Sequence, residues 1–427
     1  MTNVFRSRNF RLVFFGALVS EIGALLYSFA VGFYILEITD NNAFLQGLYL
    51  ALCGAVYLVV TPVGGVLGDR FNKGKIMFVC DYIKGGIILL ATLMMFVFKE
   101  NAAHVVILFA AGILGSAVSG VFSPASGALF PHIIEEDQLQ QANSYFSVKN
   151  ALQSILGVVL AGVLYASMPI LLLFVIVGVC YVLSGISEMF IKYDHKRSEE
   201  KLTIKLALSD MRDGFVYVKS QKPIVVLLVA ILFINFFFSP IASNFIPYFV
   251  KTDVATAPSY LFDGFLTPEL YSSVFSMMLG ISTLVGSMIL SARRQDDKCG
   301  RKIARFLLAT SVTLILATVG YYILVARGVS LNAFLILLCG GCLLIGLFIT
   351  FINIPLNTTL MRITEKDKLS KVMSIISIIA QGMIPISSVL AGAVLQYMGS
   401  SVLLLASSVG FTAASLFLLF NKETEKF

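Results

Sequence analysis

The chain has 427 residues, of which 58% are hydrophobic and 13% are charged, and its formal net charge is +7. Soluble domains carry about 25% charged residues, so this composition excludes an ordinary globular or disordered protein. The positive charge is also found in proteins that bind nucleic acid. Here the basic residues lie at the edges of apolar stretches, so we expect membrane lipids of the anionic inner leaflet as their partner and no nucleic acid.

Twelve apolar stretches follow one another, each close to or above the ~20 residues that a helix needs to cross a bilayer. In hydrocarbon the backbone must satisfy its own hydrogen bonds, so each stretch is expected to be a helix. The predicted fold is therefore all-α, with twelve transmembrane helices. The stretches are approximately Phe10–Leu36, Ala43–Leu67, Ile76–Phe98, Ala102–Phe130, Tyr145–Ala166, Pro169–Ile191, Pro223–Val250, Leu270–Ser291, Ile303–Val325, Leu331–Leu356, Val372–Met398 and Val402–Phe420.

Lysine and arginine fall almost entirely on one side of the predicted membrane. If the N-terminus is inside, 27 of the 31 lie in inner segments, Lys149 among them, and one, Lys84, lies within a helix. Only Lys99, Lys251 and Arg327 lie outside. Cytoplasmic segments carry the excess of basic residues, so we predict a multi-pass protein of the cell membrane with both termini in the cytoplasm.

The stretches divide into two halves that repeat. We predict a six-helix bundle over residues 1–192, a cytoplasmic linker with an amphipathic helix over 193–222, and a second six-helix bundle over 223–427. Residues 133–139 resemble residues 363–369, and Leu160-Ala161-Gly162 is repeated as Leu390-Ala391-Gly392, both displaced by 230 residues. Repeats of this kind place a substrate path between the halves, so the two bundles are expected to be pseudo-symmetric.

The sequence lacks the motifs of common enzymes. It contains no GxxxxGK[ST], HExxH or GxSxG pattern, so we expect no enzyme activity, no ATP hydrolysis, no cofactor and no metal. Cys339 and Cys342 have CxxC spacing but no second ligand pair, and we interpret them as small helix-packing residues. Energy for transport would then come from an ion or from the substrate gradient.

The loop after the second stretch carries the most informative motif. It reads Gly64-Gly65-Val66-Leu67-Gly68-Asp69-Arg70-Phe71-Asn72-Lys73-Gly74-Lys75. The alternatives are an ordinary basic turn and a signature loop, because the pattern G-x-L-x-D-R-x-x-[KR] resembles that of the major facilitator superfamily. The resemblance implies a cytoplasmic conformational latch in which Asp69 contacts the other half. The latch residues carried over are Gly65, Gly68, Asp69, Arg70 and Lys73.

A second motif extends the resemblance to one branch of this superfamily. Phe122, Pro124 and Pro131 precede Glu135 and a later run of Leu139, Ala142 and Asn143. This order is similar to the branch that holds macrolide-efflux pumps and the enterobactin exporter. Two departures from proton-coupled relatives accompany it: the fourth stretch has no arginine, and the fifth has no proline between Gly157 and Gly162.

Glu21 is the predicted proton-coupling residue. It lies about eleven residues into the first stretch, or roughly 16 Å along the helix axis. Ionisable groups at that depth usually face a cavity or a partner. The alternatives are a permanent ion pair with Lys84, for which Asp81 would compete, and a neutral hydrogen-bonding acid.

Polar residues at helical spacing indicate a substrate path. Single small or hydroxyl residues more often serve helix packing, whereas buried amides need polar partners. The cavity candidates are Ser28, Ser116, Asn235, Ser239, Asn353 and Gln381.

Together these observations predict a secondary transporter, working as a monomer by alternating access, that exports an amphipathic small molecule in exchange for protons. The alternatives are an uptake carrier, a lipid or metabolite translocator, and a membrane receptor that does not transport.

The predicted orientation is testable by cysteine labelling. In a background without native cysteines, single cysteines at Thr256 and Leu331 should react with impermeant reagents from outside, because both lie in predicted outer segments. A cysteine at Arg212 should react only after the membrane is opened. Labelling of the Arg212 site in intact cells would reverse the orientation.

Overall fold

The structure is a computed structural model that describes residues 4–134, 139–192, 212, 215–291, 299–364 and 369–426. In this part of the chain, twelve helices are long and apolar enough to cross a membrane, and no strand occurs. The predicted all-α fold with twelve transmembrane helices is confirmed.

We number these helices α1 to α12, and three of them contain π-helical turns. The first six are α1 (Arg8–Ile38), α2 (Ala43–Arg70), α3 (Lys73–Val97), α4 (Asn101–Ile133), α5 (Leu139–Leu152, a π turn at Gln153–Gly157, and Val158–Ser167) and α6 (Ile170–Met189). The second six are α7 (Lys222–Pro240, Ile241–Phe245, Ile246–Phe249 and Val250–Val254), α8 (Pro268–Ser291), α9 (Gly300–Gly320 and Tyr321–Ala326), α10 (Leu331–Ile363), α11 (Leu369–Met398) and α12 (Ser400–Phe420).

Local sequence accounts for several helix boundaries. The side chains of Ser7, Asn72 and Ser330 accept hydrogen bonds from backbone N–H groups in the first turns of α1, α3 and α10. Such caps satisfy donors that have no partner inside the helix. Gly399 separates α11 from α12 with a φ of 87°, a conformation that side-chain-bearing residues rarely adopt.

The helices form two compact units. The first contains residues 1–40 and 52–207, and the second contains residues 41–51 and 208–427. Most of the predicted linker lies outside the described residues; of its amphipathic helix, residues 215–220 are helical, and Tyr217 and Val218 are buried.

Within the first unit, α6 packs against α1 and α3, and α3 also packs against α4. Hydroxyl groups join the helices: Ser184 on α6 donates to the Gly16 carbonyl at 2.9 Å, and Ser187 donates to the Leu12 carbonyl at 2.9 Å. Lipid is as apolar as the side chains, so close packing and such hydrogen bonds hold membrane helices together.

The second unit repeats this arrangement. There α12 packs against α7 and α9, and α9 also packs against α10. Ser415 on α12 donates to the Ala304 carbonyl of α9 at 2.9 Å, and Ser311 on α9 donates to the Ser408 carbonyl at 3.1 Å. The first residues of α2 also belong here, and the Ala43 N–H donates to the Gln396 side chain of α11 at 2.9 Å.

Helix boundaries bear out the duplication. Helix α4 begins at Asn101 and ends at Ile133, and α10 begins at Leu331 and ends at Ile363, both 230 residues later. The same displacement relates the starts of α5 and α11, at Leu139 and Leu369, and those of α6 and α12. The two bundles are therefore pseudo-symmetric, as the sequence repeats predicted.

Large apolar side chains remain exposed along the helices of both units. Examples are Val59, Leu90, Val106, Ile336 and Val409, each at least 58% exposed. Soluble monomers rarely expose such continuous apolar surface, so lipid is the expected contact.

One of two adjacent glycines makes the close contact between α2 and α4. A methyl group on Gly64 would lie 2.7 Å from the Val121 Cα and would overlap the Gly120 backbone, whereas one on Gly65 would meet nothing within 4 Å. The sequence motif assigned Gly65, and not Gly64, to the latch. The structure gives the packing role to Gly64.

This pair supplies a matched stability test. Gly64→Ala should lower the thermal stability of the detergent-purified protein, because overpacking a tight contact typically costs about 1–3 kcal/mol. Gly65→Ala should leave stability unchanged or raise it by up to ~1 kcal/mol through helix propensity. Equal effects of the two substitutions would contradict the α2–α4 contact.

Candidate functional site

Five charged side chains of the first unit take part in an ion pair or a buried cluster within the described spans. They are Glu21 on α1, Asp81 and Lys84 on α3, Lys149 on α5 and Glu188 on α6. Glu21, Lys84 and Lys149 lie about three turns or more from the nearest helix end, whereas Asp81, Glu188 and the charged residues in the described spans of the second unit lie within about two turns of one. Intramembrane ionisable residues are expensive and usually functional, so the first unit is where we look for an ion-coupling site.

Glu21 forms an ion pair with Lys149. The Lys149 Nζ donates to the Glu21 Oε2 at 2.5 Å and lies 4.9 Å from the centre of the Phe146 ring. The alternative prediction, a pair between Glu21 and Lys84, is wrong. The prediction that Lys149 lies on the cytoplasmic surface is wrong as well, because its side chain is 1% exposed against α1.

The two partners of this pair differ in exposure. The Lys149 side chain is 1% exposed, whereas that of Glu21 is 43% exposed. Glu21 lies on the side of α1 opposite the buried residues Gly16, Ser20 and Gly23. The carboxylate is therefore the accessible partner, and the ammonium is held inside the unit.

Lys84 belongs to a different group of charges. It interacts electrostatically with Asp81, one turn earlier on α3, and with Glu188 on α6. Its Nζ lies 4.5 Å from the centre of the Phe122 ring and 5.4 Å from that of Tyr181. The structure thus separates the three predicted coupling candidates into two sites, with Glu21 in one and Asp81 and Lys84 in the other.

Sequence reasoning missed the partners at both sites. Lys149 was assigned to the inner surface, although it falls inside the fifth apolar stretch. Glu188 was not singled out, although it falls inside the sixth. A complete inventory of charged residues inside the stretches would have found both.

The predicted latch is described only in part. Helix α2 continues to Arg70, Asn72 caps α3, and Lys73 is buried in the first turn of α3. The side chains of Asp69 and Arg70 lie outside the described part. A Cβ on Gly68 would make only an ordinary contact with the Ala125 Cα at 3.6 Å, so the packing of α2 against α4 does not require a glycine there.

The cavity candidates occupy both units. Ser28 on α1 is exposed and Ser116 on α4 is half-buried. In the second unit, Asn235 and Ser239 on α7 are half-buried, while Asn353 on α10 and Gln381 on α11 are exposed.

Asn235 and Asn244 differ in what their amides do. Asn235 donates to the Ile231 carbonyl of its own helix at 3.0 Å. Asn244 is fully buried in a π turn of α7 and donates to the Ser388 carbonyl of α11 at 3.3 Å. Asn244 therefore ties two helices of the second unit together, whereas Asn235 leaves its side-chain oxygen free to face a ligand.

Twelve apolar helices arranged as two pseudo-symmetric bundles define a polytopic membrane protein. A family model described as Major Facilitator Superfamily matches residues 13–387. The chain belongs to this superfamily, as the motif after α2 predicted.

Bacterial relatives support the assignment to this superfamily. The MFS-type transporter YvqJ of Bacillus subtilis is 24% identical over 420 residues, which cover 97% of this chain and 93% of that protein. YkuC of the same organism is 25% identical over 301 residues, covering 67% of this chain and 65% of the relative. Macrolide efflux protein A of Streptococcus pyogenes is 22% identical over 286 residues, covering 66% of this chain and 67% of that protein.

Solved structures share the fold. A bacterial homologue of the iron transporter ferroportin, in an inward-facing state, has a TM-score of 0.70 at 16% identity and covers 97% of this chain and 100% of its own. The D-xylose-proton symporter has a TM-score of 0.70 at 12% identity, with 100% of both chains covered. At these identities the likeness shows the fold alone.

The unequal exposure of Glu21 and Lys149 predicts unequal stability effects. Glu21→Gln leaves a buried ammonium without its carboxylate, so its cost should approach, but stay below, the ~3–5 kcal/mol of breaking a fully buried pair. Lys149→Met leaves the more exposed of the two charges, and should therefore cost less than Glu21→Gln does.

Thermal unfolding of both detergent-purified variants measures the difference. A larger loss for Lys149→Met than for Glu21→Gln would contradict the assignment of Lys149 as the buried partner.

Proposed function

We propose that this protein is a secondary active transporter that exports an amphipathic small molecule by alternating access, in exchange for protons. The uptake carrier, the lipid or metabolite translocator and the non-transporting receptor are the alternatives that the experiment below separates. The observation that carries the proposal is the ion pair between the accessible carboxylate of Glu21 and the enclosed ammonium of Lys149.

The pair suits proton coupling because protonation changes its charge. When Glu21 is ionised, it neutralises Lys149 across a distance of 2.5 Å. A proton on Glu21 removes that attraction and leaves one positive charge on the pair. Because Glu21 is the accessible partner, it is the group that a proton or a cationic substrate reaches first. One site would then alternate between the proton and the substrate.

The membrane potential is large enough to drive such an exchange. A charge that crosses the membrane gains about 2.3 kcal/mol per 100 mV. This energy corresponds to roughly a fiftyfold concentration ratio, since each 1.4 kcal/mol is a factor of ten. One proton per cycle therefore supports useful accumulation without ATP.

Aromatic side chains support an amphipathic substrate. Phe29 and Phe33 on α1 and Tyr165 on α5 form a group two turns or more beyond Glu21, with ring centres 4.9 Å apart for Phe29–Phe33 and 5.7 Å apart for Phe33–Tyr165. Tyr165 donates to the Glu37 carboxylate at 2.9 Å. Phe29 and Tyr165 are partly exposed whereas Phe33 is buried, so two of these rings provide apolar contact beside an acid. Macrolide efflux protein A, a distant relative, carries a substrate type of this chemistry in its name.

Further parts of the mechanism remain predictions. We propose that Ser28, Ser116, Asn235, Ser239, Asn353 and Gln381 line the substrate path. We also propose that Asp69 latches the cytoplasmic side, that both termini are cytoplasmic, and that the monomer is the working unit.

Transport in inverted membrane vesicles tests the proposal. An amphipathic cationic dye should accumulate in vesicles that contain the wild-type protein when a pH gradient is imposed, and collapse of the gradient should release it. Glu21→Gln should abolish accumulation while retaining downhill dye movement, because only the proton-linked step is lost.

Glu100→Gln is the matched control, since Glu100 is an exposed acid at the start of α4 whose side chain makes no cap hydrogen bond. Accumulation by Glu21→Gln in response to a pH step would exclude Glu21 as the coupling residue. Accumulation only in right-side-out vesicles would identify an uptake carrier. Specific dye binding without movement in either orientation would identify a receptor.

A further inference from the structure

Two buried acids lie between α3 and α6 of the first unit, apart from the Glu21–Lys149 ion pair. The Asp81 side chain is 0% exposed and that of Glu188 is 1% exposed. Both interact electrostatically with Lys84. Neither acid takes part in the Glu21–Lys149 ion pair, so the proposed transport site leaves them without a role.

Hydrogen-bond donors to the two carboxyl groups are scarce within the described part of the chain. All four of their oxygens are buried and none accepts a hydrogen bond of good geometry. The Ser184 hydroxyl lies near Asp81, but its one hydrogen is donated to the Gly16 carbonyl at 2.9 Å. Buried carboxylates normally accept several hydrogen bonds, so this environment disfavours two ionised acids.

The site is closed by tight packing. A methyl group on Gly16 of α1 would lie 3.3 Å from the Glu188 Cγ and 3.7 Å from its Oε1. Gly178 and Gly85 bring α6 and α3 together, since a Cβ on Gly178 would lie 3.4 Å from the Gly85 carbonyl oxygen. This packing leaves little room around the acids for the shell of oxygen ligands that a metal cation needs.

Counting the charges shows what is missing. Lys84 sits over the rings of Phe122 and Tyr181, at distances that favour a charged ammonium. One ammonium and two carboxylates leave a net charge of −1 in a buried site. One further positive charge would make the site neutral, and the smallest such charge is a proton.

We propose that Asp81 and Glu188 together bind one proton beside the Lys84 ammonium, forming an intramembrane proton site separate from the Glu21–Lys149 pair. Two acids that cannot both ionise share a proton in this way. The other titratable groups facing the site are the thiols of Cys80 and Cys180 and the hydroxyls of Tyr181 and, from α1, Tyr27. These groups are neutral near pH 7, so they leave the charge count unchanged.

The site has a direct consequence for coupling, which rests on the proposed function. Glu188 lies in the last turn of α6 and Asp81 about two turns into α3, near the ends that we predict to face the cytoplasm. A proton bound there would exchange with the cytoplasm. Transport would then depend on two protonation sites, one accessible on α1 and one enclosed between α3 and α6.

Infrared spectroscopy of the purified full-length protein tests the proton site directly. A protonated carboxyl group gives a C=O stretch that a carboxylate lacks, and the band shifts in D₂O. We expect such a band near pH 7, well above the ordinary carboxyl pKa of about 4. Both Asp81→Asn and Glu188→Gln should remove it, because the remaining acid then ionises beside Lys84.

Lys84→Met should increase the area of the band instead of removing it, so a simple folding defect cannot account for both results. Without the ammonium both acids should be protonated, so the band area should rise about twofold. Glu100→Gln is the control and should leave the band unchanged. Absence of the band at pH 7 in the wild-type protein, or its persistence in both acid variants, would overturn the proposal.

The vesicle assay separates this outcome from failure of the proposed function. If the infrared band behaves as expected but neither the wild-type protein nor any variant moves the dye, the result supports the proton site and contradicts proton-driven export. If the wild type accumulates dye and Glu188→Gln does so with unchanged pH dependence, the site does not serve coupling, and that part of the proposal is overturned.

Discussion

The free-energy cost of placing a charged side chain in hydrocarbon is the constraint on which the arrangement of this protein depends. Insertion of one charged side chain at the centre of a membrane helix costs about 2.5–3.5 kcal/mol, so each such residue needs a partner or a task. The first unit contains two such groups, an ion pair between α1 and α5 and an acid–base cluster between α3 and α6. The remaining contacts keep these groups at fixed distances from one another.

The second unit joins many of its helices through uncharged polar groups. Its helices are joined by hydroxyl and amide groups that donate to backbone carbonyls, as Ser415, Ser311 and Asn244 do. Neutral donors of this kind stabilise helix contacts without an intramembrane charge. The pseudo-symmetric halves therefore share a fold but differ in where their charges lie: the first unit holds charges about three turns or more from a helix end, whereas the Lys251–Glu269 ion pair of the second unit lies near helix ends.

Sequence periodicity and charge predicted the helices and the duplication because both depend on local patterns that a bilayer enforces. Contacts between helices depend on rotation about the helix axis and on long-range packing, which those patterns do not contain. Lys149 lies 128 residues from Glu21, and its place inside an apolar stretch does not show which residue it pairs with. Gly64 and Gly65 are adjacent, and only the position of α4 makes one of them indispensable to the contact.

The π turn of α5, at Gln153–Gly157, has a counterpart in the other half. A displacement of 230 residues carries it to residues 383–387, where α11 contains Pro385. A π turn and a proline both interrupt the regular i→i−4 ladder of backbone hydrogen bonds, one with an extra residue and the other with a missing N–H. Each half thus interrupts the hydrogen-bond ladder of the corresponding helix at the same position, and such interruptions are where membrane helices bend.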